Sequence, residues 1–254
     1  MIDTHTHINC IDDFSIDEIL KNASDNGVEK LIVPSAYASD IDIVAELASK
    51  YENVYGLLGV HPSEVKDWTD DLIDKIKECA KSPKIVGIGE IGLDYYWDEN
   101  PPREVQQEVF RKHMKLAEEL NMPVIIHDRE AHEDTLKIMK EFPSVIGVVH
   151  CFSGSVEFAK ECLRLGYYIG ITGVVTFKNS KKVKEVVKEV PLDRLLVETD
   201  CPYMAPEPNR GKRNKSSYIK YVLDKIVEIK EIDSLELNKI VNNNLYTLMK
   251  KIKK

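Results

Sequence analysis

His5 and His7, two residues apart in DTHTH, can turn both imidazoles to one side of an extended backbone and so reach a single ion. Four further residues of ligand type each follow a short apolar run: Glu90 after Ile85 to Gly89, His127 after Val124 to Ile126, His150 after Val145 to Val149, and Asp200 after Leu195 to Glu198. Imidazoles and carboxylates are donors for divalent ions, and six of them exceed the needs of one tetrahedral centre. Two divalent metal ions are therefore expected, with the Glu90 carboxylate able to bridge them. Mixed nitrogen and oxygen donors suit zinc, manganese, iron or nickel, and leave magnesium open at a partly hydrated position. The chemistry of such a centre is hydrolysis: a water whose pKa the ions lower attacks an ester, and Asp200 is expected to take its proton.

Other residues are expected to meet the substrate. His61, in GVHP, follows a third apolar run and is read as substrate-facing and able to assist the leaving group; its alternative is a loop histidine bonded to backbone. Arg129, two residues past His127, can clamp an anionic oxygen with its planar guanidinium, or else form a surface ion pair. Lys178, Lys181 and Lys182 follow the seventh run, and Arg210, Lys212, Arg213 and Lys215 the eighth. Barrel enzymes frequently bind phosphate at those two loops, and Arg213 is assigned to substrate on that ground. Tyr95, Tyr96, Trp97, Phe152, Phe177 and Tyr203 fall in connecting segments where rings can stack on unpaired bases, and Tyr95 is assigned to substrate among them. His113 and His132 read as helix-surface residues.

Residues so far apart in sequence need a framework that gathers them. Eight β-branched or apolar runs alternate with segments of helical period: Met1 to Thr4, Val28 to Pro34, Val54 to Val60, Ile85 to Gly89, Val124 to Ile126, Val145 to Val149, Tyr167 to Ile171 and Leu195 to Glu198. Several are continuously apolar, as parallel strands covered on both faces are. The expected fold is α/β, a (β/α)8 TIM barrel of eight parallel strands, in which each ligand stands at a strand end on one shared rim. Gln107 to Leu120 forms a helix with Phe110, Met114, Ala117 and Leu120 on its inner face, and Leu237, Ile240, Val241, Leu245 and Leu248 mark an additional C-terminal helix. No linker interrupts the pattern, so residues 1–254 are expected to be a single barrel domain. Lys250, Lys251, Lys253 and Lys254 read as a solvated tail.

The net charge of −8 disfavours non-specific coating of nucleic acid, which needs many basic contacts to phosphate, but not an enzyme that grips a few of them. Five cysteines without a CxxC pair suggest reduced thiols. The absence of a targeting pattern or a long apolar run points to the cytoplasm, with no membrane association and no obligate protein partner.

Taken in order, DTHTH, GVHP, GEIGLDYY, PVIIHDR, HCFSG and ETDCPY resemble the motifs of the TatD family of metal-dependent deoxyribonucleases over nearly the whole chain, as does QQEVFRKHMKLAEELNMPVIIH. The resemblance implies a hydrolase barrel with His5, His7, Glu90, His127, His150 and Asp200 as metal ligands. It also implies nucleic acid as substrate, DNA first, often cut from the 3′ end, although some relatives deacylate D-aminoacyl-tRNA. Two positions depart from the family pattern: Ser63 stands where many members have the second histidine of HPH, and Ser216 where many have the proline of NxP. An amidohydrolase, lactonase or aminoacyl ester hydrolase is the alternative, because the same attack reaches a carbonyl carbon and the fold does not decide. Glu90, in the place where superfamily amidases often carry a carboxylated lysine, leans toward the nuclease. A non-catalytic metal-binding scaffold is a second alternative and would require closed coordination.

Overall fold

The computed structural model describes residues 1–253. The strands are β1 (Ile2–Asp3), β2 (Lys30–Pro34), β3 (Val54–Leu58), β4 (Ile85–Asp94), β5 (Val124–Arg129), β6 (Gly147–Val149), β7 (Tyr168–Ile171) and β8 (Leu195–Val197). They pair in parallel in the order β1 to β8. Between them run α1 (Ile16–Asp25), α2 (Asp40–Lys50), α3 (Asp71–Cys79), α4 (Arg103–Leu120), α5 (His132–Glu141), α6 (Val156–Arg164) and α7 (Lys181–Glu189), followed after β8 by α8 (Ile219–Lys230) and α9 (Ser234–Leu248). The arrangement is the (β/α)8 barrel. β1 and β8 are drawn together where Thr4 N donates to Val197 O at 3.4 Å and Thr199 N donates to the Asp3 carboxylate at 2.9 Å.

Successive residues of each strand face opposite ways, and both sides are apolar for different reasons. Ile2, Ile32, Leu57, Val86, Ile125, Val148, Tyr168 and Leu196, one from each strand, point inward and fill the barrel. Their neighbours along the strands, such as Leu31, Ile85 and Ile169, point outward onto the helices. Leu245, Leu248, Met249 and Ile252 of α9 and the segment after it join the inward cluster and close the barrel at the end opposite the strand carboxyl termini. No helix of the described residues is long and apolar enough to cross a membrane.

The structure corrects three expectations. β4 does not stop at Gly89 but continues to Asp94, because its second half pairs with β5 as far as Asp94 opposite Arg129. The lysine tail is not simply solvated: Lys251 Nζ donates to Ala80 O and Ile85 O at 2.9 and 3.0 Å, and Ile252 beside it is buried. Lys254 lies outside the described residues. His113 is not on a helix surface but fully buried, and both ring nitrogens are satisfied: Nδ1 donates to Val109 O at 2.9 Å and Nε2 accepts from Val60 N at 3.2 Å.

Protonating that second nitrogen would break its bond, and burial pushes the His113 pKa down to about 4. In the unfolded chain the group titrates near 6.5, so between the two values the unfolded chain binds more protons and stability falls as the pH drops. The contribution is whole above the upper value, and about 3 kcal/mol of it is lost once the pH has fallen through the lower one. Urea unfolding of wild type and His113→Gln is expected to show the gap between them narrowing by about that amount on acidification. A gap independent of pH would refute this account.

Candidate metal centre

The strand carboxyl ends bring His5, His7, Glu90, His127, His150 and Asp200 together. His5 and His7 follow β1, and the backbone there is tied to the segment after β8 by Asp200 N donating to His5 O at 2.9 Å and His7 N donating to Cys201 O at 2.8 Å. Glu90 lies within β4 and not after it. The pairing of β4 with β5 slips between Ile88 and Ile91, and in that bulge Glu90 N turns to donate to Ser35 O at 3.2 Å. His127 is likewise inside β5, opposite Gly92, whose φ of +136° and close approach to His127 O leave no room for a Cβ. Asp200 and Cys151 adopt positive φ angles of 56° and 43°, strained for side-chain-bearing residues and found where function constrains the backbone.

The donors form two groups divided by one carboxylate. On one side, His5 Nε2 and His7 Nε2 lie 3.1 Å apart, Glu90 Oε2 is 3.2 and 3.4 Å from them, and Asp200 Oδ1 is 3.7 and 3.5 Å away. On the other side, Glu90 Oε1 lies 2.8 Å from His150 Nε2, 2.9 Å from His127 Nδ1 and 3.5 Å from His61 Nε2. A tetrahedral ion with bonds of about 2.0–2.1 Å spaces its donors roughly 3.4 Å apart, close to the separations found here. Among the described residues, three sets are able to hold a metal ion: His5, His7 and Asp200; His61, Glu90 and His127; and, between the two sides, His5, His150 and Glu198. The residues present therefore fit a divalent metal.

Without a cation, the charges answer one another. Burial works against ionising Glu90, but His150, His61 and His5 hold its pKa well below the usual carboxylate range. Burial also opposes charge on His7, yet hydrogen bonds to Asp200 and Glu90 raise its pKa to about 9. His127 and His150 are raised too, against burial, by Asp94 and Glu90 in the first case and by Glu90 and Glu198 in the second. Burial and the neighbouring His127 push His61 the other way, down to about 3.

Several supporting residues escaped the sequence reading. Asp94 Oδ2 lies 3.2 Å from His127 Nε2, the nitrogen turned away from Glu90. Glu198 is fully buried, accepts from Cys151 N at 2.5 Å and lies 3.5 Å from His150 Nδ1, and Gly170 on β7 makes room for it. The D of LDYY and the E of ETD lie inside quoted motifs, but only the barrel's closure places them behind the imidazoles. His132 pairs with Asp128 and stacks on Phe158 at 4.5 Å.

The donors open into a cavity of about 560 Å³ lined also by Tyr37, His61, Glu64, Arg129, Phe152 and Tyr203. Two residues assigned to substrate do not line it. The Tyr95 phenol turns between helices, donating to Asp134 Oδ2 at 3.0 Å and accepting from Gln107 Nε2 at 2.8 Å. Arg213 pairs with Asp13 at 2.5 Å beside a separate cavity of about 210 Å³. Of the other basic residues expected at phosphate, Arg210 lies over the Phe177 ring and Lys215 over the Phe14 ring.

The model of the family described as TatD related DNase matches residues 2–250. The chain belongs to the TatD family. It is accordingly a metal-dependent hydrolase. Among curated relatives, YabD of Bacillus subtilis, named an uncharacterized metal-dependent hydrolase, is 44% identical over 98% of this chain and 99% of its own length. The 3′-5′ ssDNA/RNA exonuclease TatD of Klebsiella pneumoniae is 32% identical over 91% of this chain and 90% of its own. The crystal structure of YJJV, a TatD homolog from Escherichia coli, superimposes with a TM-score of 0.92 at 34% identity, with 98% of each chain covered.

The two departures from the TatD pattern have local accounts. Ser63 Oγ sits 2.7 Å from His61 Nδ1 and donates to Glu64 Oε1 at 2.8 Å, so a hydroxyl and a carboxylate back His61 where many TatD members have a second imidazole. Ser216 is buried, with its hydroxyl 3.1 Å from Thr6 Oγ1, and it opens the short 3-10 turn Ser216–Tyr218 ahead of α8.

Proposed function

We propose that this TatD-family chain hydrolyses phosphodiester bonds at the end of single-stranded DNA in the 3′-to-5′ direction. Two divalent ions, zinc, manganese or magnesium, would be held by His5, His7 and Asp200 on one side of Glu90 and by His127 and His150 on the other. The observation that carries this reading is the division of the Glu90 carboxylate, each oxygen of which has its own set of imidazoles. The polarity rests on the likeness to the Klebsiella pneumoniae exonuclease. The five cysteines are free, in keeping with a reducing compartment such as the cytoplasm.

Divalent ions bound here would lower the pKa of a water and offset phosphate charge. Everything else falls to side chains. Asp200, kept ionised against burial by His7 and its neighbouring imidazoles, accepts the proton of the attacking water. Arg129 lines the cavity and binds a non-bridging phosphate oxygen. His61, neutral at working pH, accepts from Ser63 N at Nδ1, so its one ring hydrogen is on Nε2, which donates a hydrogen bond to the departing oxygen. Glu198 orients His150 from the side away from Glu90, as partners behind metal-binding imidazoles do.

Loading the protein with manganese, magnesium or zinc and supplying end-labelled single-stranded DNA, a lactone and D-aminoacyl-tRNA in parallel tests the reading. A ladder shortening from the 3′ end is expected; turnover confined to the carbonyl substrates would overturn it. Glu198→Gln keeps the acceptor for Cys151 N and removes only the charge, and is expected to weaken cation affinity by about ten- to a hundredfold. Chelator competition measures this, and an unchanged affinity would remove Glu198 from the centre.

Cation binding must also displace protons from His7, His127 and His150, all of which the carboxylates favour in charged form. The apparent affinity is therefore expected to climb as the pH rises toward the His7 value of about 9 and to fall toward acid. Calorimetry in buffers of different ionisation enthalpy should detect proton release near neutrality. Binding without proton release would exclude these imidazoles as ligands.

A further inference from the structure

Tyr96 and Trp97 stand on the segment after β4 with 51% and 48% of their surfaces in water. Their rings meet edge to face at 4.7 Å, and the Arg129 guanidinium lies 4.0 Å from the centre of Tyr96 and 5.3 Å from that of Trp97. Arg129 also lines the cavity beside Glu90 and His127. Among the described residues its guanidinium makes no ion pair or hydrogen bond, so its N–H donors are free. One cation thus joins the metal-binding cavity to a pair of open aromatic faces.

We propose that Tyr96, Trp97 and Arg129 form a nucleotide clamp, in which the guanidinium holds a phosphate and the exposed indole stacks on the neighbouring unpaired base. The proposal rests on the phosphodiesterase reading above and names how that site selects its substrate. A guanidinium lying on a ring keeps its edge N–H groups available for phosphate oxygens. An indole face accepts any base of a single strand, whereas a base within a duplex is already covered by its neighbours. The clamp therefore confers preference for single strands without preference for sequence.

The test uses cation-free full-length protein, so that nothing is cut. Oligothymidylate and an abasic oligomer of equal length and charge are titrated while tryptophan fluorescence is followed. The chain has two tryptophans, and Trp68 packs against His113 with its indole N–H on Asp70. Oligothymidylate is expected to quench Trp97 and to bind about tenfold more tightly than the abasic chain, the worth of one stacked base. In Trp97→Ala that ratio should fall to near one, and in Trp97→Phe most of it should survive. Arg129→Gln is expected to weaken both ligands alike. A ratio near one in the wild type, or one unchanged in Trp97→Ala, overturns the clamp. A ratio that behaves as described in a protein that cuts no phosphodiester supports the clamp and removes the hydrolytic reading instead.

Discussion

Glu90→Gln is expected to lower turnover on single-stranded DNA by about three orders of magnitude or more, corresponding to a loss of roughly 4 kcal/mol in transition-state stabilisation. The amide has the shape of the carboxylate but carries no charge, and its nitrogen cannot serve as a donor to a cation. Both groups of imidazoles would lose their common partner, because Glu90 Oε2 faces His5 and His7 while Oε1 faces His127 and His150. Manganese stoichiometry is expected to fall from two to one or fewer. The fold should persist, since the β4 bulge is held through Glu90 N, which the substitution keeps. A variant that retains two ions and wild-type turnover would remove Glu90 from the bridging position. The same variant also reports any contaminating nuclease in the preparation.

The second large effect is expected at Asp200. Asp200→Asn should reduce kcat by about two to four orders of magnitude, the usual contribution of a positioned proton acceptor, with little change in KM. Asparagine is the informative substitution because residue 200 has φ of 56°, a region asparagine tolerates better than most side chains. A loss of rate would then report the missing base and not a displaced backbone. Metal content must be measured alongside, since Asp200 Oδ1 lies 3.7 and 3.5 Å from His5 and His7. Near-normal turnover at full occupancy would transfer the proton to another group.

The fold could be read from the sequence because eight apolar runs separated by helical periods, in a chain of 254 residues, match the count and length of a parallel barrel. The six candidate donors that the barrel gathers stand out in the sequence because five apolar runs end beside residues of ligand type. What escaped depends on contacts between strands. Glu90 was expected beyond the end of β4, but the pairing of Ile91 to Asp94 with β5 extends the strand past it, and no local pattern announces a bulge. Asp94 and Glu198 look like ordinary acids until β4 and β8 bring them behind His127 and His150. His113 stands three residues after Phe110 and four before Ala117, on the apolar face of that helix, so its position pointed inward and only its polar type suggested the surface; Val60 N supplies the donor that its buried ring needs. Tyr95 and Arg213 illustrate the reverse: position in a loop identified them, but each has a nearer partner, Asp134 for the phenol and Asp13 for the guanidinium. A residue's address along the chain predicts the rim better than it predicts the direction of the side chain.

The inward-facing strand side chains already fill the barrel, and Leu245, Leu248, Met249 and Ile252 cover them from the far end, so the cavity at the rim is a cul-de-sac. Nothing can thread through it, so whatever the site takes in and whatever it releases share one doorway. On the exonuclease reading proposed above, released mononucleotide should compete with the next strand end, and inhibition by product should be competitive, relieved by raising substrate. A tunnel enzyme could eject its product from the rear and escape that conflict; a blind socket cannot.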